Sequence, residues 1–159
     1  MVTQARGDQM REVTALARQL WPNHDFAALY DELCALLKEG NAAFFLALDG
    51  QTAVGFAQCQ LRRDYVEGTR SSPVGYLEGV YVKEAYRKKG YARRLLESCE
   101  EWARRRGCSE FASDCELDNE TSLRFHLSVG FEEANRIVCF TKTLCAAPDC
   151  PETPRDDEA

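Results

Sequence analysis

The 159-residue sequence has only two histidines, His24 and His126, and none of its eight cysteines forms a CxxC pair. Structural zinc takes Cys and His at short paired spacings, so a zinc finger or ribbon is excluded and no metal site is expected. Long apolar runs are missing too. Ala42 to Leu48 is among the longest, far below the roughly 20 residues that cross a bilayer, so no membrane role is expected. The opening Met1-Val2-Thr3-Gln4-Ala5-Arg6 lacks the apolar stretch of a secretory signal. The expectation is a cytoplasmic protein. Its cysteines then read as free thiols, with Cys34, Cys59, Cys99 and Cys139 in apolar stretches acting as small hydrophobes. Neither the GxxxxGK[ST] loop nor the GxGxxG turn occurs.

What is present is ordinary globular composition, 45% hydrophobic and 29% charged, in a length that suits one domain. The net charge is -6. Five acids and one Arg fall in the last 15 residues, leaving a body of only -2. Residues 1–144 are read as a single domain and 145–159 as an acidic, proline-containing, disordered tail. An acidic chain argues against general nucleic-acid binding. Charge is nevertheless clustered. Lys83, Arg87, Lys88, Lys89, Arg93 and Arg94 crowd together, as do Asp114, Glu116, Asp118 and Glu120. One region suits a polyanion and the other a polycation.

Periodicity and punctuation give the elements. Val2 to Ala5 reads as a short strand. A helix capped by Asp8 runs to Leu20 and is broken at Pro22; a second, capped by Asp25, ends at Gly40. Strands follow over 44–48 and 52–61, joined at Asp49-Gly50, then a polar loop and a strand over 74–82. A basic turn leads into a helix over 91–106, with Leu95, Leu96, Cys99, Trp102 and Ala103 at helical spacing. A short strand over 111–114, a short helix over 122–129 and a last strand over 134–144 complete the order β-α-α-β-β-β-α-β-α-β. A hairpin-rich first half followed by a βαβ unit implies an α+β fold with a mixed sheet.

The strongest local signal is the strand–turn–helix at residues 80–93, Val-Tyr-Val-Lys-Glu-Ala-Tyr-Arg-Lys-Lys-Gly-Tyr-Ala-Arg. A strand delivers the chain to a glycine turn, and the first helical turn leaves N–H groups unpaired where the dipole favours negative charge. With Arg87, Lys88, Lys89 and Arg93 beside it, the turn suits a pyrophosphate. The competing reading is a solvated charge run with a glycine for tight packing.

These residues resemble a known family. Arg87-x-x-Gly90-x-Ala92 after the Val80-Tyr81-Val82 strand resembles the acetyl-CoA signature of the GNAT N-acetyltransferases. Asn119-x-x-Ser122-x-x-Phe125-His126-x-x-x-Gly130-Phe131 resembles their downstream motif. Trp21-Pro22-Asn23-His24, Asp64-Tyr65-Val66-Glu67-Gly68, the 76–82 strand, Ala112-Ser113-Asp114 and Glu116-Leu117-Asp118-Asn119 are together similar to aminoglycoside 6'-N-acetyltransferases. The resemblance covers about residues 1–144. It implies a GNAT-like mixed sheet flanked by helices, and acetyl transfer from acetyl-CoA to the 6'-amine of kanamycin-like drugs, conferring resistance. It also implies a homodimer whose C-terminal strand region helps build the partner's site. By the same resemblance, Val80, Tyr81 and Val82 bind the thioester and pantetheine arm. Arg87, Lys88, Lys89, Gly90, Tyr91, Ala92 and Arg93 bind the pyrophosphate, and Asn119 binds the distal arm. Trp21, His24, Tyr65, Glu78 and Asp114 contact the drug, with Asn135 where similar enzymes carry an acid. His126 stands where many relatives carry a general-acid Tyr.

The chemistry asks for carboxylates. An ammonium must lose a proton before it attacks a thioester. Glu78 precedes the proposed acetyl site, and Asp114 ends the neighbouring strand. Asp114 is taken as base or amine anchor and Glu78 as anchor, with the reverse open. Cys115 has no neighbouring His in sequence and is not taken as a nucleophile. Another polycationic amine, such as a polyamine, is the alternative substrate, and a catalytically silent CoA sensor is the alternative class.

Overall fold

The computed structural model describes residues 1–144; the tail at 145–159 lies outside the described residues. A five-stranded sheet in the order β1-β2-β3-β4-β5 forms the centre. Its strands are β1 (Val2–Gln4), β2 (Ala42–Asp49), β3 (Thr52–Arg62), β4 (Val74–Val82) and β5 (Phe111–Ser113). The first four pair antiparallel, and β5 joins β4 in parallel. Helices α1 (Met10–Leu20) and α2 (Phe26–Glu39) cover one face, α3 (Tyr91–Arg105) covers the other, and α4 (Glu120–Ser128) follows β5. The sheet is mixed and flanked by helices, the expected α+β class.

Strand β2 shows why the core is two-sided. Side chains alternate along a strand, so Ala43, Phe45 and Ala47 pack against α3 while Phe44 and Leu46 pack under α1 and α2. Burial on both faces requires the unbroken apolar run seen in the sequence. Phe44 is fully buried. Phe44→Ala is expected to cost about 3–5 kcal/mol, read as a lowered midpoint in urea unfolding.

Helix starts follow local hydrogen bonds. Asp25 caps α2 as expected, its Oδ1 accepting the N–H of Ala28 at 3.0 Å. Asp8 does not cap α1. A 3-10 turn over Gly7–Gln9 takes that place, and the Arg6 N–H donates to Gln9 Oε1 at 3.2 Å. Asn119 caps α4, its Oδ1 accepting the N–H of Ser122 at 3.0 Å, so the helix begins two residues earlier than expected.

The expected last strand over 134–144 is corrected: no residue of it is in regular secondary structure. A strand needs a partner ladder. The sheet ends at β5, and among the described residues nothing in 134–144 pairs with its outer edge or with any other strand. Ile137, Val138, Phe140 and Leu144 of this segment are 63%, 77%, 89% and 84% exposed.

Candidate active site

Two irregularities in β4 shape the site. The first is a bulge. Gln58 of β3 faces Gly79, but Cys59 faces Leu77, so Glu78 is the extra residue. A bulge bends the strand and re-aims a side chain. The second is a divergence. Strand β5 follows β4 only from Gly75 to Leu77, which leaves the edge of Glu78–Val82 without a strand neighbour. Lys83 donates its N–H to Val54 O of β3 at 2.8 Å. Alternation then turns the polar groups of Val82 to the open edge, where its carbonyl accepts Arg87 Nε at 3.0 Å.

The open edge leads directly to the basic turn. Lys88 has φ 60 and Gly90 φ 78, so the chain makes two left-handed steps just before α3. Gly90 stands at the N-cap with no side-chain cap. The first intrahelical bond is the Arg94 N–H donating to Gly90 O at 3.1 Å. The N–H groups of Tyr91, Ala92 and Arg93 therefore stay open at the positive end of the helix dipole, an anion cradle. Tyr86 and Tyr91 pack edge to face at 6.3 Å behind it. Lys88 and Lys89 are exposed, with Lys89 Nζ 5.0 Å from the centre of the Tyr86 ring. Arg93 turns elsewhere: its Nη2 donates to Ser128 O at 2.9 Å and ties α3 to the end of α4.

On the face under α1, the bulge gathers a second group. Trp21 and Leu20 lie where a Cβ on Gly79 would fall, 2.9 and 2.8 Å away, so a side chain there would push both off the strand. Glu78 accepts Arg62 Nη2 at 2.9 and 3.0 Å and Arg62 Nε at 3.2 Å. The Arg62 guanidinium lies 3.4 Å over the Tyr76 ring. Burial pushes the Glu78 carboxyl above its ordinary value, Arg62 and Gln60 oppose that, and Asp114 adds to it. Burial, with the Asp114 carboxylate beside it, also pushes the Tyr76 phenol up. Glu78 and Asp114 thus lie near enough to influence one another, with Arg62 and Tyr76 beside them. Asp114 itself is exposed and makes no ion pair among the described residues.

The remaining residues fall into separate groups. Tyr65, 79% exposed, donates its hydroxyl to Glu67 Oε2 at 3.1 Å, and Asn135 Nδ2 donates to Glu67 Oε1 at 2.9 Å. Glu67 thus pins the segment after α4 to the loop after β3. His24 is exposed, and no hydrogen bond of its side chain appears among the described residues. His126 is a packed helix residue. Its Nδ1 meets Ser122 O at 2.7 Å, its Nε2 meets Ser113 Oγ at 2.9 Å, and its ring lies 5.1 Å from Phe131. Ser113 Oγ in turn reaches Leu77 O at 3.2 Å, where β5 leaves β4.

Sequence reasoning did not single out Arg62, Gln60, Tyr76 or Glu67. A signal for the first two exists: Gln58, Gln60 and Arg62 recur at period two in an otherwise apolar strand, which marks one polar face. Gln58 is buried, and its Oε1 is the buried side-chain atom without a hydrogen bond among the described residues.

An open strand edge running into a helix N-terminus suits an extended phosphate-bearing ligand, and the carboxylates across the bulge suit a cationic group beside it. The residues fit acetyl-CoA, with unpaired N–H groups and cations at one end and an unpaired strand edge at the other. The sequence profile of the Acetyltransferase (GNAT) family matches residues 9–131, and the chain belongs to that family. Its co-substrate is acetyl-CoA.

Within the family it is similar to curated proteins named aminoglycoside N(6')-acetyltransferase type 1. The Serratia marcescens protein is 42% identical over 139 residues, covering 86% of this chain and 94% of the relative. The Stenotrophomonas maltophilia protein is 44% identical over 127 residues, covering 79% and 81%. Among solved structures, AAC(6')-Iy with the bisubstrate analogue CoA-S-monomethyl-acetylneamine superposes with TM-score 0.87 at 34% identity, over 91% of this chain and 98% of that one. Apo AAC(6')-IG from Acinetobacter haemolyticus gives TM-score 0.86 at 36% identity, over 91% and 99%.

Proposed function

We propose that the protein transfers the acetyl group of acetyl-CoA to the 6'-amine of aminoglycosides such as kanamycin, and so confers resistance. The observation that carries the reading is the pair of carboxylates, Glu78 and Asp114, across the β4 bulge beside the open strand edge. In this reading Val80, Tyr81 and Val82 pair their backbone with the pantetheine arm. Arg87, Lys88, Lys89 and the N–H groups of Gly90, Tyr91, Ala92 and Arg93 hold the pyrophosphate, while Asn119 faces the distal arm. Trp21 over Gly79 gives the sugar an aromatic wall. His24, Tyr65 and Asn135 lie around the drug.

The reaction needs no covalent enzyme intermediate. Asp114 draws the proton from the ammonium, directly or through a water, and the freed amine attacks the thioester carbonyl. The open N–H groups of the β4 edge stabilise charge on that oxygen. The C–S bond breaks, the nitrogen gives up its second proton to leave a neutral amide, and the departing thiolate takes up a proton. A cytoplasmic location, where acetyl-CoA is at hand, belongs to the same reading.

The working form is a homodimer in the same reading. The segment after α4 exposes Ile137, Val138 and Phe140, β-branched or aromatic side chains of strand type, and a second copy covers them as an added strand. A chain ending at Glu133 is expected to sediment as a monomer and to lose at least about tenfold in kcat/KM for kanamycin. Here the whole chain would sediment at twice the monomer mass; a monomer at micromolar concentration would contradict the dimer.

A further inference from the structure

Glu78 is held through both of its oxygens by one partner. Arg62 supplies three hydrogen bonds, two to Oε1 and one to Oε2. That fork fixes the plane of the carboxylate. Arg62 is also held from its other side, flat on the Tyr76 ring at 3.4 Å. Its side chain is 38% exposed against 18% for Glu78, so of the pair the guanidinium is the more open to solvent.

We propose that Arg62 is a positioning residue of the transferase site: it holds and orients Glu78 as a fixed, charged wall and leaves Asp114 as the carboxylate that meets the incoming ammonium. The inference rests on the reading above and deepens it. It assigns the proton to one carboxylate of the pair, and it makes a cation inside a polycation site a requirement rather than an obstacle.

The charged and polar groups that face Glu78 are Arg62 and Gln60 from β3, Tyr76 from its own strand and Asp114 from beyond β5. Against the neighbouring Gly79 lie Leu20 of helix α1 and Trp21 just after it. Burial and Asp114 favour the protonated acid, and Arg62 is the largest opposing influence. Without Arg62 the carboxyl holds its proton to higher pH. A neutral Glu78 then loses its fixed orientation, and activity falls on the acid side only.

The test is the pH profile of kcat/KM for kanamycin, read as thiol release, in wild type, Arg62→Gln and Arg62→Lys. The KM for acetyl-CoA is measured in parallel. Arg62→Gln is expected to move the acid limb up by about one unit, a loss that approaches tenfold at pH values below both limbs and closes above them. Lysine keeps the charge but not the fork or the stacking. Arg62→Lys should hold the limb within about 0.3 unit of wild type while kcat/KM drops at every pH, and the KM for acetyl-CoA should stay within about twofold in both. Arg62→Met keeps the aliphatic stem over Tyr76 and replaces the Gln variant if melting curves show that it does not fold, with the same displacement expected. A limb that stays in place without the charge overturns the inference, as does a Lys variant displaced as far as Gln. Failure of the wild type to acetylate kanamycin would instead overturn the transferase reading.

Discussion

Asp114→Asn is expected to lower kcat/KM for kanamycin by about 10²–10³-fold while leaving the KM for acetyl-CoA within about twofold of wild type. A positioned general base contributes roughly 10²–10⁴-fold, and two features of the site assign that work to Asp114. Glu78 is committed to Arg62 through both oxygens. Asp114 is exposed and makes no ion pair among the described residues, on the same face and close enough to the Tyr76 phenol to raise it. Asparagine keeps the size and removes both the charge and the basic oxygen. The loss should appear in kcat as well as in KM, because the same group holds the ammonium and takes its proton. Steady-state kinetics on the drug and on acetyl-CoA separate the two. A variant within about threefold of wild type would move the proton to another group.

Gly90→Val is expected to raise the KM for acetyl-CoA by at least about tenfold, with a smaller effect on the KM for the drug. Gly90 has φ 78 and open space where a Cβ would stand, so the effect comes from the backbone rather than from a clash. A β-branched residue in the left-handed region is strained by roughly 1–2 kcal/mol. Relief rotates the first turn of α3, whose N–H groups form the anion cradle. Gly90→Asn serves as the control, because asparagine tolerates that conformation best among residues with a side chain; it should stay within about threefold. Equal KM values for valine and glycine would show that the turn does not hold the pyrophosphate.

Much of this fold was legible because its signals are local. Strand β4 was read from its own residues over the same span the structure gives it, and α3 to within one residue, because a period of 2.0 and one of 3.6 are hard to confuse over nine and fifteen residues. The Asp25 cap needs only its own helix. The first helix shows the limit of such reasoning, since Gln9 competes with Asp8 for the same backbone and wins through the Arg6 N–H. The segment at 134–144 has a strand's composition, but a strand is completed by its neighbour, and the chain offers it none.

The candidate site divides in the same way. Glu78 and Asp114 were read from their places at a strand and a strand end. Arg62 and Tyr76, which lie beside them, were not. Arg62 meets Glu78 across 16 positions of sequence, and its place depends on a bulge that shifts the register at Glu78 by one residue. Glu67 meets Asn135 across 68 positions. Such meetings are fixed by topology and register, which composition and spacing leave open.

The central claim is acetyl transfer to the 6'-amine, and the most direct test is thiol release from acetyl-CoA with kanamycin A and, separately, with spermine. Mass spectrometry of the product places the new acetyl group. Rapid release with kanamycin, a single acetyl on the 6'-nitrogen and little reaction with spermine are expected. Thiol release with spermine and none with kanamycin, or acetyl at another amine of the drug, would contradict that claim.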